Sequence, residues 1–102
     1  MNFLLLKGDT YIMKAVITVL GKDTVGILAK VSSFCAERNM NVVEVTQSVL
    51  QDMFAMVMLV ELDRANVPSF EQLNADFDAL GQSIGTKIHI MHEDIFNSMH
   101  KI

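Results

Sequence analysis

The sequence has one cysteine, one proline, no tryptophan, and fewer basic than acidic side chains among its 102 residues. A lone Cys35 excludes an internal disulfide, so a disulfide-stapled secreted fold is ruled out and a reducing compartment is expected. No Cys-x-x-Cys pair occurs, which removes the copper-chaperone reading. Eight Lys plus Arg stand against twelve Asp plus Glu, a formal net charge of −4. Such a chain lacks the basic patch that electrostatic binding of nucleic acid needs. No stretch approaches the roughly 18 uncharged apolar residues of a membrane span. The N-terminal run Phe3–Leu6 is short, and Lys7 follows it rather than precedes it, which fits no signal peptide. The chain is therefore expected to be cytoplasmic, with no membrane and no nucleic-acid partner.

What is abundant is apolar. The AVILMFWYC share is 51%, with 8 Met, which argues for a real core and against disorder. About 100 residues make one ordinary domain. A second Met, Met13, stands directly before the first clear strand. Residues 1–13 are read as an N-terminal extension, 14–92 as the domain, and 93–102 as a C-terminal helix.

From Lys14 the periodicity is regular. Lys14–Leu20 is β-rich and runs into Gly21, a strand. Gly21-Lys22-Asp23-Thr24 is a turn into a helix, with Asp23 or Thr24 expected as N-cap. Ile27, Leu28, Val31, Phe34 and Cys35 form one helical stripe, and Asn39 suits a left-handed terminator. Asn41–Leu50 and Met53–Leu62 are strands joined at Gln51-Asp52, the first more polar and the second apolar at nearly every position. Asp63–Asn66 is a loop. After Pro68, Ser69 with Gln72 carries a capping-box signature. Phe70, Leu73, Phe77, Leu80 and Ile84 make a second stripe that Gly85 closes. Thr86–His92 is a fourth strand with Ile88 and Ile90 on one face. Ile95, Phe96, Met99 and Ile102 share a short helical face at the end. The order β-α-β-β-α-β predicts an α+β, ferredoxin-like sandwich with a four-stranded antiparallel sheet in the order 4-1-3-2, plus a short terminal helix.

The stretch from Val16 to Leu28 carries the most specific signal. Gly21, Asp23, Gly26, Ile27 and Leu28 together resemble the turn of the ACT domain, the small-molecule regulatory module of amino-acid metabolism. Residues 14–92 fit its layout throughout. The segment His92–His100 also resembles the end of small stand-alone bacterial ACT proteins related to glycine-cleavage regulatory proteins. One departure is Val25, where many ACT domains carry Pro; Val can adopt the same first-turn conformation. The resemblance implies a ligand at this turn, commonly at an interface between two domains. It makes Gly21, Lys22, Asp23, Thr24, Val25 and Gly26 the candidate ligand-binding residues, with Asn41 an addition.

The chemistry of such a turn stands without the family. A helix start leaves N–H groups unpaired and its dipole favours an anion, so it can hold a carboxylate. A glycine at position 26 lets a ligand approach the backbone. Asp23 or Asn41 can accept hydrogen bonds from an ammonium group. Together these suit a free amino acid. The competing reading is structural: Asp23 or Thr24 as a cap worth about 1 kcal/mol, and Gly26 as a site of tight helix–sheet packing.

Other chemistries fare worse. Cys35 lies on a buried stripe, where a free Cys behaves as a small hydrophobe. His89 and His92, three apart in a strand, point to opposite faces, and His100 is two turns further, so no metal site is expected. The first strand has no aromatic on which an RNA base can stack. Only Lys22 occupies the turn where an acylphosphatase needs an arginine; the arginines are Arg38 and Arg64. No nucleophile–base set or paired carboxylates stand out, so no catalytic residue and no cofactor are expected.

The remaining rival is a protein–protein module. Two helices cover one face of a four-stranded sheet, yet the third strand is apolar on both: Phe54, Met56, Met58, Val60 and Leu62 on one, Met53, Ala55, Val57 and Leu59 on the other. The terminal helix, the N-terminal extension or a second subunit must cover the other face. The expectation is a non-enzymatic regulatory module that binds an amino acid or related metabolite as a homodimer and acts on a protein partner. The alternative is a ligand-free adaptor or dimerisation module.

Overall fold

The computed structural model describes residues 12–22, 25–63 and 69–100. The loop residues 64–68 and Ile102 lie outside them. The chain runs β1 (Ile12–Lys22), α1 (Ile27–Glu37), β2 (Asn41–Leu50), β3 (Met53–Asp63), α2 (Phe70–Ile84), β4 (Thr86–His92) and α3 (Glu93–Met99). The strands form one antiparallel sheet in the order β2-β3-β1-β4, the expected order read from its other end.

Alternation along the central strands sets the two faces. Ala15, Ile17 and Val19 of β1 lie opposite Val60, Met58 and Met56 of β3, and all six are buried. Ile88 and Ile90 of β4 extend this face. Helices α1 and α2 close it with Ile27, Val31, Cys35, Leu73 and Phe77, and the Phe34 and Phe77 rings meet at 4.8 Å between centroids. The core is thus a single helix–sheet layer, and two of the many methionines, Met56 and Met58, sit at its centre.

The ends of the elements follow local chemistry, with two corrections. Asn39 takes φ 59 and Gly85 takes φ 74, the left-handed terminators expected after each helix. The N-cap of α1 is Gly26 at φ 88, with no side-chain cap bond, rather than Asp23 or Thr24, which lie outside the described residues. A left-handed residue turns the chain so that its own carbonyl accepts the first helical bond, from Lys30 N at 3.0 Å. Ser69 caps α2 by accepting from Gln72 N at 3.2 Å. The reciprocal half of the capping box is absent, because the Gln72 amide donates to Asp76 at 3.0 Å instead.

The two sheet edges differ. Along β4, Asn74 of α2 donates to Ile90 O and accepts from Ile90 N, both at 3.0 Å. One side-chain amide thus acts as a strand partner at Ile90, part-way along this edge. The β2 edge has no such cover among the described residues; it bulges between Val42 and Glu44 and then keeps regular register to Leu50.

Among the described residues, the second sheet face is only partly covered. Glu93, Phe96 and Asn97 of α3 line a 230 Å³ cleft with Val16, Val57 and Leu59 of that face. Val16 is 4% exposed beneath it. Beyond α3, Leu20, Met53 and Val57 remain exposed. The expected apolar face of the terminal helix is also narrower than its sequence suggests. No residue of this two-turn helix is fully buried: Phe96 is half-buried and stacks on His100 at 4.2 Å, while Ile95 and Met99 stay exposed.

Candidate functional site

Strand β1 delivers the candidate turn. Gly21 and Lys22 are its last two residues, opposite Phe54 and Met53 of β3. Val25 follows at 99% exposure, and Gly26 opens α1. Two glycines bracket this turn for different reasons. A Cβ at Gly26 would meet nothing within 4 Å, so tight packing does not explain this glycine; its φ of 88 does. A Cβ at Gly21 would lie 2.8 Å from Gly85 O and 3.0 Å from Thr86 Cα. Close packing therefore sits one turn earlier than expected, where β1 meets the start of β4.

The first turn of α1 bears no acidic residue and no basic residue closes its last turn. Its N-terminal N–H groups and dipole keep their preference for an anion. Asn41 does not join this turn within one chain. It pairs with Glu61, which pairs with Lys14 at the start of β1. That is the opposite end of the sheet from Lys22, roughly 26 Å away at about 3.3 Å per residue.

Register brings together residues that spacing does not. Lys87 of β4 lies opposite Leu20 of β1 and diagonal to Lys22 on the same face. These residues, with Met53, Gln82 and Gly85, line an open cleft of about 410 Å³ at the turn end of the sheet. Thr86 also borders it, and its Oγ1 is buried without a hydrogen-bond partner. Only the pairing of β1 with β4 reveals Lys87 as a neighbour of the turn.

Three other reactive side chains, Cys35, Arg38 and His92, are occupied or enclosed. Burial pushes the Cys35 thiol up to about 11, against a smaller opposing pull from Arg38. It is a protonated packing group at neutral pH. Arg38 lies over the Phe34 ring at 3.5 Å and reaches Asp76 at 3.6 Å, tying the end of α1 to α2. His92 Nδ1 caps α3 by accepting from Asp94 N at 3.0 Å. Among the described residues, no group of three or more His, Cys, Asp or Glu is placed to hold a metal ion, and no helix is long and apolar enough to cross a membrane.

With this geometry in hand, comparison with known proteins is decisive for the family. A family model of the ACT domain matches residues 14–91. The chain belongs to the ACT domain family. It is 44% identical over 90 residues to a UPF0237 protein of Clostridium acetobutylicum, covering 88% of this chain and 100% of that relative. A UPF0237 protein of Methanopyrus kandleri is 43% identical over 89 residues, covering 87% and 98%. Among solved structures, an ACT domain protein from Streptococcus pneumoniae superposes with a TM-score of 0.74 at 42% identity, covering 82% of this chain and 93% of that one. A putative glycine cleavage system transcriptional repressor shares the fold, with a TM-score of 0.67 at 20% identity over 78% of this chain and 45% of its own. This ACT chain therefore has the ferredoxin-like architecture of a family whose domains are commonly regulatory.

Proposed function

We propose that this ACT chain is a non-enzymatic, cytoplasmic regulatory module that holds an amino acid or related small metabolite at the turn Gly21–Gly26. The observation that carries the reading is the open helix start at Gly26. Its left-handed backbone faces free space, with no side chain capping it among the described residues. A ligand carboxylate matches those N–H groups and that dipole, and the Asp23 carboxylate supplies an acceptor for an ammonium group. A thermal-shift screen of the full chain against the amino acids tests this. A stabiliser is expected, and its shift, measured against each variant's own ligand-free midpoint, falls away in Gly26→Ala and Asp23→Asn. No shift with any amino acid at millimolar concentration contradicts it.

The module is further proposed to work as a homodimer joined through β2. Asn74 occupies the β4 edge at Ile90, whereas among the described residues β2 offers an uncovered ladder with Val43 and Val49 exposed. A two-fold axis perpendicular to the sheet sets the two β2 strands antiparallel. It brings the Asn41 end of one copy beside the turn end of the other, which gives Asn41 a place near the ligand that one chain alone denies it. A ligand gripped from both copies favours one dimer geometry, and only such differential affinity transmits a signal to a protein partner. Light scattering behind size exclusion is expected to give twice the 11.4 kDa chain mass; a single-chain mass contradicts the dimer.

A second reading, a ligand-free adaptor, is favoured by the exposed Leu20, Met53 and Val57 beyond α3. It predicts a partner that binds with no amino acid present and loses affinity when Met53 is made Asp.

A further inference from the structure

The cleft of about 410 Å³ beside the turn has a chemistry of its own. Its volume lies in the range that small-molecule sites occupy. Lys22 and Lys87 stand on one sheet face as diagonal neighbours, with Cβ atoms roughly 7–8 Å apart by strand geometry. Each ammonium rides on a flexible four-carbon stem, so both reach a single point between them. Among the described residues the cleft lining holds no Asp or Glu, and neither lysine makes a salt bridge. In a chain of net charge −4, two converging cations with no carboxylate among the described lining residues are a local reversal of sign.

The floor between them is apolar. Leu20 is 48% exposed and Met53 is 45% exposed, both on the cleft wall. Beside them the Gln82 amide offers both a donor and an acceptor. Gly21 and Gly81 draw β1 and α2 close against Thr86, so backbone rather than side chains forms the deep side.

We infer that this cleft binds a small dianion bearing an apolar group, its two negative charges met by Lys22 and Lys87 and its apolar part lying on Leu20 and Met53. Phosphate monoesters and dicarboxylates share that chemistry. The site differs from the amino-acid reading of the turn: Lys87, Gln82 and Met53 are outside the turn, and a neutral amino acid satisfies only one of the two cations.

Isothermal titration calorimetry on the full chain at low salt, with phenyl phosphate, glutarate and benzoate as probes, tests the assignment. At least one dianion binds with a Kd below about 1 mM and at least tenfold more tightly than benzoate. Lys22→Gln and Lys87→Gln each weaken it about tenfold, the loss expected for one charge-assisted contact. Lys30→Gln, on α1 and outside the cleft, leaves it unchanged. Binding of phenyl phosphate alone assigns the phosphate monoester class, and binding of glutarate alone assigns the dicarboxylate class. A dianion no tighter than benzoate, or affinity indifferent to Lys87→Gln, overturns the inference. Gly26→Ala separates the two sites, since it removes stabilisation by an amino acid at the turn and leaves dianion binding at the cleft intact.

Discussion

Replacing Gly81 with Ala sets two effects of opposite sign against each other. Gly81 lies inside α2, where alanine is favoured over glycine by about 1 kcal/mol. Propensity alone therefore predicts a stabilised protein. The structure predicts the reverse. A Cβ at position 81 would lie 2.5 Å from Thr86 O and 3.4 Å from Ile88 Cγ1. The first contact is with a backbone carbonyl at the start of β4, which cannot rotate aside as a side chain does. Either α2 or β4 must move, and Asn74 pins the two elements together through Ile90. Overpacking of this kind reaches about 3 kcal/mol. Subtracting the propensity gain leaves a net loss of about 2 kcal/mol. For a domain of this size that lowers Tm by roughly 8–16 °C. Urea unfolding followed by circular dichroism, with the slope held common, measures the difference. Asp78→Ala, at an exposed position of the same helix, is the control and is expected to hold or raise the midpoint. A Gly81→Ala midpoint equal to or above that of the parent protein refutes the close-packing argument.

Three further outcomes follow from the same geometry. Asn74→Leu strips Ile90 of both side-chain hydrogen bonds and costs about 2 kcal/mol in chemical denaturation, with the newly open β4 edge raising the apparent mass in light scattering. Ser69→Ala removes the cap on Gln72 N and costs about 1 kcal/mol by the same assay, whereas Ser69→Asp retains it. Because Cys35 titrates near 11 folded against 9.0 unfolded, the unfolded chain loses its thiol proton first. Stability contributed by this group is full below pH 9 and falls by about 2–3 kcal/mol between pH 9 and 11. Denaturation across that window in the parent protein and Cys35→Ala is expected to show the extra slope only in the parent.

The fold was readable because its signals are local. Strand alternation, the Ser69 cap and the left-handed stops at Asn39 and Gly85 are written in neighbouring residues. The apolar second face of β3 also announced itself, since Met53, Ala55, Val57 and Leu59 alternate with the core positions. What escaped depends on pairing across the sheet. Ligand chemistry suits an amide at the turn, and Asn41 supplies one in sequence; the antiparallel ladder sends it to the far end of its own chain's sheet. In sequence Lys87 is a single cation in a short strand, and only its register with Leu20 brings it beside Lys22. The tight packing expected at Gly26 belongs instead to Gly21, and Gly26 is required by its φ. A sequence shows that a glycine is present, while only coordinates show whether space or φ demands it.

The central claim is that the turn Gly21–Gly26 is a ligand site, and amide NMR titration of the full chain with each amino acid tests it most directly. The account predicts that one or a few amino acids shift the Val25, Gly26 and Ile27 resonances saturably, and that those shifts vanish in Gly26→Ala. Saturable shifts confined to other parts of the chain, or none with any amino acid at millimolar concentration, contradict it.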